Sequence, residues 1–242
     1  MIRIKKFVLG IRPSQKMFRV SSLHGSLVDS VLSLRGEKPI DDEYYTEVTR
    51  TNEPFAIQLK NEERGNILTV DLSNITFTKD FYDSGKQFDI EDVLKEFRAI
   101  WKQVNEVLHV KEVRRIGIVL EHQIEVGENS ASAALLTKLT SIASSGHVAK
   151  FMLHFEERSR TTKGGVPDLN KDDFINVIRD YYDSERDSDH PKEGHINVNL
   201  DVQRYYSPLL NGNVFDEVAV FRKQLAFEQD RLEKDLKQRG LL

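Results

Sequence analysis

The chain has 242 residues, 39% of them hydrophobic and 31% charged, with a formal net charge of −4 and no cysteine. Without cysteine there is no disulfide, thiol nucleophile or thiolate metal site, and the small negative charge supplies no overall attraction for nucleic acid. No apolar run reaches the ~18 residues that a membrane-spanning helix needs, and the basic Met1 to Pro13 stretch is too briefly apolar for a signal-peptide core; the expectation is a globular, cytoplasmic protein with no membrane partner.

Ile4 to Ile11 reads as a first strand, and Met17 to Val20 is expected to add a short extended partner. Leu27, Val28, Val31, Leu32 and Leu34 follow helical spacing until Gly36 and Pro39 stop it. Tyr44 to Thr49 alternates as a strand, as do Phe55, Ile57 and Leu59. The Asn61 to Asn66 stretch, with Gly65, is a turn, and Leu68, Val70 and Leu72 resume the alternation. Residues 55–72 therefore predict a β-hairpin, with Ile75 and Phe77 prolonging its second arm. This is an antiparallel meander and not a βαβ unit.

A long helix is expected over residues 90–110. Asp89 is placed to cap it, and Val93, Phe97, Ile100, Val104 and Val107 recur at helical steps beside Leu94, Trp101 and Leu108. Such a wide apolar stripe suits burial against a sheet. Ile116, Ile118 and Leu120 form the next strand, which Val119 makes apolar on both sides, as in a central strand. The break from Gly127 to Ser130 suits a boundary between two α+β lobes, 1–128 and 129–242, or an interruption within one continuous domain.

Beyond that break the pattern predicts helix, strand, helix, strand and helix. Ser130 caps a helix carrying Leu135, Leu139 and Ile142, and Phe151, Leu153 and Phe155 alternate in a strand. Arg158 to Asn170, with Gly164, Gly165 and Pro167, has the composition of a loop. Phe174, Val177, Ile178 and Tyr181 have helical spacing. After a charged linker from Asp183 to Glu193, the residues Ile196, Val198, Leu200 and Val202 alternate with Asn197, Asn199, Asp201 and Gln203. One apolar and one wet face mark a strand of an antiparallel sheet.

The last helix, 214–239, would be about 39 Å long at ~1.5 Å per residue. Asn213 and Gly240 are its expected caps. Val214, Val218, Phe221, Leu225, Leu232 and Leu236 make its stripe, with a polar gap at Glu228. Asp230 with Lys234, Glu233 with Lys237 and Asp235 with Arg239 place each acid four residues before its base. The fold class expected is α+β, a mostly antiparallel sheet or sheets covered by long amphipathic helices.

The order from Leu68 to Ile124 carries a pattern of its own: a strand ending VDLSNITFTKDFY, a long helix containing Trp101, then RRIGIVLEHQI. It resembles a sporadically distributed family of uncharacterised prokaryotic proteins whose hallmark is an Arg-x-Gly-Leu-Arg-Tyr-Ile-Asn-like strand after such a helix. Arg115, Gly117 and Ile118 fit, while Val119, Leu120 and Glu121 depart from the Arg-Tyr-Ile part. The later INVNLDVQRYY strand and helical end keep the family's order, so the resemblance covers roughly two thirds of the chain. It implies a two-lobed α+β protein of prokaryotic or mobile-element origin, and no known activity.

No motif assigns a catalytic residue or a cofactor. His154 shares a strand face with Glu156, and His195 with Asn197, Asn199 and Asp201, so His154, His195 and Asp201 are candidate metal or acid–base residues. The simpler reading is a solvated polar face, since Lys150 and Gln203 belong to the same faces. Arg158, Arg160 and Lys163 precede Gly164 and Gly165, but without the spacing of a phosphate-cradling loop; a flexible hairpin is the plainer reading. Arg3, Lys5, Lys6 and Arg12 are candidate nucleic-acid contacts, or charges guarding an edge strand. By alternation Arg3 and Lys5 share one face and Lys6 takes the other. Leu225, Leu232 and Leu236 form a seam that either packs on the chain's own sheet or meets a partner helix. These features point to a non-enzymatic protein-interaction or scaffold protein that binds a protein partner or forms a homodimer. The alternative is a nucleic-acid-binding protein or metal-dependent hydrolase.

Overall fold

The alternating segments assemble into one sheet. The computed structural model describes residues 2–52, 55–81, 88–125, 130–162, 165–183, 195–211 and 214–242. Among these, in chain order, are β1 (Ile2–Pro13), α1 (Arg19–Ser22), α2 (His24–Leu32), β2 (Glu47–Asn52), β3 (Phe55–Asn61), β4 (Asn66–Asp71) and β5 (Ile75–Asp80). Then follow α3 (Ile90–Leu108), β6 (Glu112–Glu125), α4 (Ala131–Leu139), β7 (Met152–Arg160), β8 (Phe174–Asp183), β9 (His195–Asn211) and α5 (Val214–Gln238). The nine strands form an antiparallel α+β sheet in the order β2-β3-β4-β5-β1-β6-β9-β8-β7. The sheet runs unbroken across the lobe boundary that composition suggests, because β6 of the first half pairs with β9 of the second from Glu112–Asn211 to Glu125–His195.

Alternation decides which side chains meet the helices. Phe7, Leu9 and Ile11 of β1, Ile116, Ile118 and Leu120 of β6, and Ile196, Val198, Leu200 and Val202 of β9 are buried on one face. Helix α3, capped where Asp89 accepts from the Glu91 N–H, packs there through Phe97, whose ring centroid lies 5.9 Å from that of Phe77 in β5. Its Glu96 reaches Lys79 of β5 at 2.9 Å, and α2 packs beside it, with Ser30 donating to Gln103. α5 rests on β9 and β6, and α4 on β8 and β9.

Three expectations are corrected. Met17 to Val20 is not a strand; the chain turns there into α1, with Met17 and Val20 buried. Ile75 and Phe77 do not prolong the 55–72 hairpin. The Asp71 carboxylate accepts from the Ser73 and Asn74 N–H groups, closing a tight turn that sends β5 back along β4. The predicted helix at Phe174 to Tyr181 is the strand β8. Its β-branched and aromatic residues favour a pleated surface: Val177 and Tyr181 face the helices while Ile178 points the other way, so spacing that imitates a helical stripe comes from apolar residues on both faces. Ile142 lies beyond α4 and is exposed. Asn213, Gly127, Lys163, Gly164, His190 and most of the Asp183 to Glu193 linker lie outside the described residues.

Candidate binding face of the sheet

Residues paired in register point to the same side of a sheet, so the pairings define what surrounds each polar side chain. On the face away from the helices, β9 presents Asn197, Asn199, Asp201 and Gln203. Beside them β8 presents Tyr182, Asp180, Ile178 and Asn176, and β6 presents Gln123, Glu121, Val119 and Gly117. Edge strand β7 adds His154, Glu156 and Arg158. One row crosses six strands, His154–Asp180–Asn199–Glu121–Lys6–Asp80.

The polar groups are organised but not all satisfied. His154 Nδ1 lies 2.5 Å from Asp180 Oδ1. Glu156 accepts from Arg158 at 2.8 Å and from Asn176 Nδ2 at 2.5 Å, and the Arg158 bond, with Asn176 adding to it, holds its carboxyl below the ordinary range against the opposing effect of burial. Gln203 Nε2 donates to Asp201 Oδ2 at 2.6 Å, while the Gln203 carbonyl accepts from Tyr205 at 3.0 Å and from Arg115 at 3.4 Å. Burial raises the Asp201 carboxyl, reinforced by Asp180 and Glu156 and opposed by Gln203 and Arg115. Tyr182, hydrogen-bonded to Asn199, Asn197 and Glu121, is pushed up to about 12, chiefly by burial and then by the Glu121 charge. Phe174 and Tyr205 stack at 4.6 Å on the same face, and Gly10 stands opposite Gly117, with no atom within 4 Å of where a Gly10 side chain would begin.

Three amide oxygens on this face, Asn176 Oδ1, Asn197 Oδ1 and Asn199 Oδ1, are buried without a hydrogen-bond partner. Asn176 and Asn197 are only 3% and 6% exposed. Buried acceptors are rarely left unmade in folded proteins. Three lie together on this one side of the sheet.

The other candidates separate. His195 sits at the end of β9 opposite Glu125, six residues from Asp201, which is about 20 Å along a strand at ~3.3 Å per residue. His154 is engaged with Asp180. Among the described residues no cluster of three or more His, Asp or Glu side chains has the arrangement of a metal site. His154, His195 and Asp201 share a face but are not brought together. Arg3, Lys6 and Arg12 all lie on this face, because a bulge between Ile4 and Lys6 resets the alternation and leaves Lys5 out of register. That corrects the pairing of Arg3 with Lys5. The cations are interspersed with acids, Arg3 lying 3.7 Å from Glu125 and Lys6 standing between Asp80 and Glu121. The loop expected from Arg158 begins later, because Arg158 and Arg160 belong to the end of β7, where Arg158 is bound to Glu156 and Arg160 to Asp172 at 2.7 Å.

Of the two readings open to the Leu225, Leu232 and Leu236 seam, the structure has the packed one. These side chains are 0%, 1% and 0% exposed within the chain itself, with Leu241 buried beyond them. The polar gap at Glu228 is filled by Arg179 of β8, which donates to Glu228 at 2.8 Å and to Glu157 at 2.9 Å, while Arg231 also binds Glu157 at 3.1 Å. Gly240, at φ +66°, ends the helix with Leu241 N–H donating to the Leu236 carbonyl. Asn176, Asp180, Tyr182 and Arg179 escaped sequence reasoning because β8 was expected as a helix; the run of Ile175, Val177, Ile178, Tyr181 and Tyr182 was the signal for a strand. No family model and no curated protein matches the chain.

Proposed function

We propose that the chain is a non-enzymatic protein-interaction module, of prokaryotic or mobile-element origin, that receives a protein partner on the polar face of its sheet. The observation that carries this reading is the run of polar side chains Asn197, Asn199, Asp201 and Gln203 on β9, bordered by Asp180 on β8 and Glu121 on β6, on the face away from the helices. Arg115 and Gly117, which carry the family resemblance, stand on this face. The long amphipathic helices turn their stripes inward, so a scaffold role falls to the sheet.

The test uses the full chain carrying a photo-crosslinking residue at Gln123, on the polar face, or at Val220, on the exposed side of α5. After irradiation in extract of the source cells, adducts of defined mass are expected from the Gln123 position and not from Val220. Adducts from Val220 alone, or from neither, overturn the proposal.

A further inference from the structure

The side of α5 turned away from the sheet carries a pattern that packing within the chain does not use. Asp216, Lys223, Asp230 and Lys237 follow one another at a constant seven-residue interval with alternating sign, and all four are exposed. Two large apolar side chains stand among them, Val220 at 54% and Phe227 at 61% exposure. At 3.6 residues per turn all six fall within a sector of about 100°, opposite the buried stripe from Val214 to Leu236. Among the described residues Asp216, Lys223 and Asp230 enter no ion pair, and Lys237 has a loose one to Glu233 at 3.7 Å.

A second copy running antiparallel answers this pattern, and a parallel one does not. Laid in the same direction, each charge would meet its own kind. Reversed and set with Ala226 opposite Phe227, Asp216 meets Lys237 of the other copy and Lys223 meets Asp230, and the two-fold axis repeats both relations. Accordingly, we infer that the outer face of α5 pairs antiparallel with the same face of a second copy, the two Phe227 rings lying either side of the axis and Lys223–Asp230 pairs flanking them. The apolar centre supplies attraction, while the charges fix direction and register. Helices crossing at ~20° keep a seven-residue repeat in contact. Because α5 rests on β9 and β6, the contact lies on the helix side of the sheet and leaves the polar face of each copy open. The inference goes beyond the proposed function and does not rest on it.

Sedimentation equilibrium of the full chain tests it. One helix pair buries less than the ~1,200 Å² of a standard interface, so a weak dimer is expected, with a Kd of ~50 µM that rises as added salt screens the charges. Lys223→Asp and Asp230→Lys each place two like-charge pairs across the axis and should each weaken the dimer about tenfold. Mixed in equal amounts the two variants should recover it, because each copy then meets opposite charge at both positions. Circular dichroism melts identify a variant that fails to fold, and the other then decides against the wild type. A chain still monomeric at ~500 µM, single variants that dimerise like the wild type, or a mixture no better than its components overturns the inference. The crosslinking extract holds the chain below ~1 µM, where this dimer is dissociated. Val220 therefore stays without an adduct there, and the two proposals fail independently.

Discussion

His122 shows how far the sheet controls a single ionisable group. It lies on the helix-facing side of β6 opposite Val198, with Nδ1 3.3 Å from the Val198 carbonyl oxygen. Burial dominates and pulls its pKa from 6.5 down to about 4, against the opposing effect of the Val198 and Leu120 carbonyls. The folded protein thus keeps the ring neutral where the unfolded chain would protonate it. Its contribution is fully present above pH 6.5 and is lost as the pH falls toward 4, to a total of about 3 kcal/mol at ~1.4 kcal/mol per pH unit. Urea unfolding of the wild type and of His122→Gln between pH 7.5 and 4 should show their stability difference shifting by about that amount toward the variant as the pH drops. Parallel curves would remove His122 as the cause.

At the scale of elements, the docking of α5 on β8 depends on one buried charge meeting another. Side chains of Arg179 and Glu228 are 6% and 5% exposed and 2.8 Å apart. Removing Glu228 leaves the buried Arg179 guanidinium with only the partly exposed Glu157 as counter-charge, and Glu228→Leu alone is expected to cost about 3 kcal/mol, whereas Arg179→Met with Glu228→Leu should recover most of it. Thermal melts of the single and double variants decide this; a double variant no better than the single would show that the pair itself holds the helix. The helix that carries Glu228 was legible in the sequence, as was α3, because a stripe recurring over many turns overwhelms local ambiguity. The Asn197 to Gln203 alternation on β9 was legible for the same reason. Strand β8 was not, since four apolar residues across two faces match a helical stripe as well as they match a strand. That one error hid Asn176, Asp180 and Tyr182 beside β9, and it left Glu228 looking like a flaw in a coiled-coil seam. Pairing between distant strands fixes both, and pairing leaves no trace in local periodicity.

At the scale of the whole molecule, the first strand lies in the interior of the sheet, with β5 on one side and β6 on the other. Everything from β2 to β6 belongs to the first half of the chain, while β7, β8 and β9 complete the sheet from the second. Two fragments, residues 1–125 and 130–242, should therefore fail to fold separately and recover a cooperative melt when refolded together. A sharp independent melt of residues 130–242 would instead establish two self-sufficient lobes. The β6–β9 seam has a further consequence in time. His122 and its backbone partner at Val198 are 76 residues apart, so a ribosome adding ~5–20 residues per second leaves the apolar edge of β6 waiting roughly 4–15 s for the strand that seals it. During each round of synthesis the β6 edge that pairs with β9 stays open until β9 emerges.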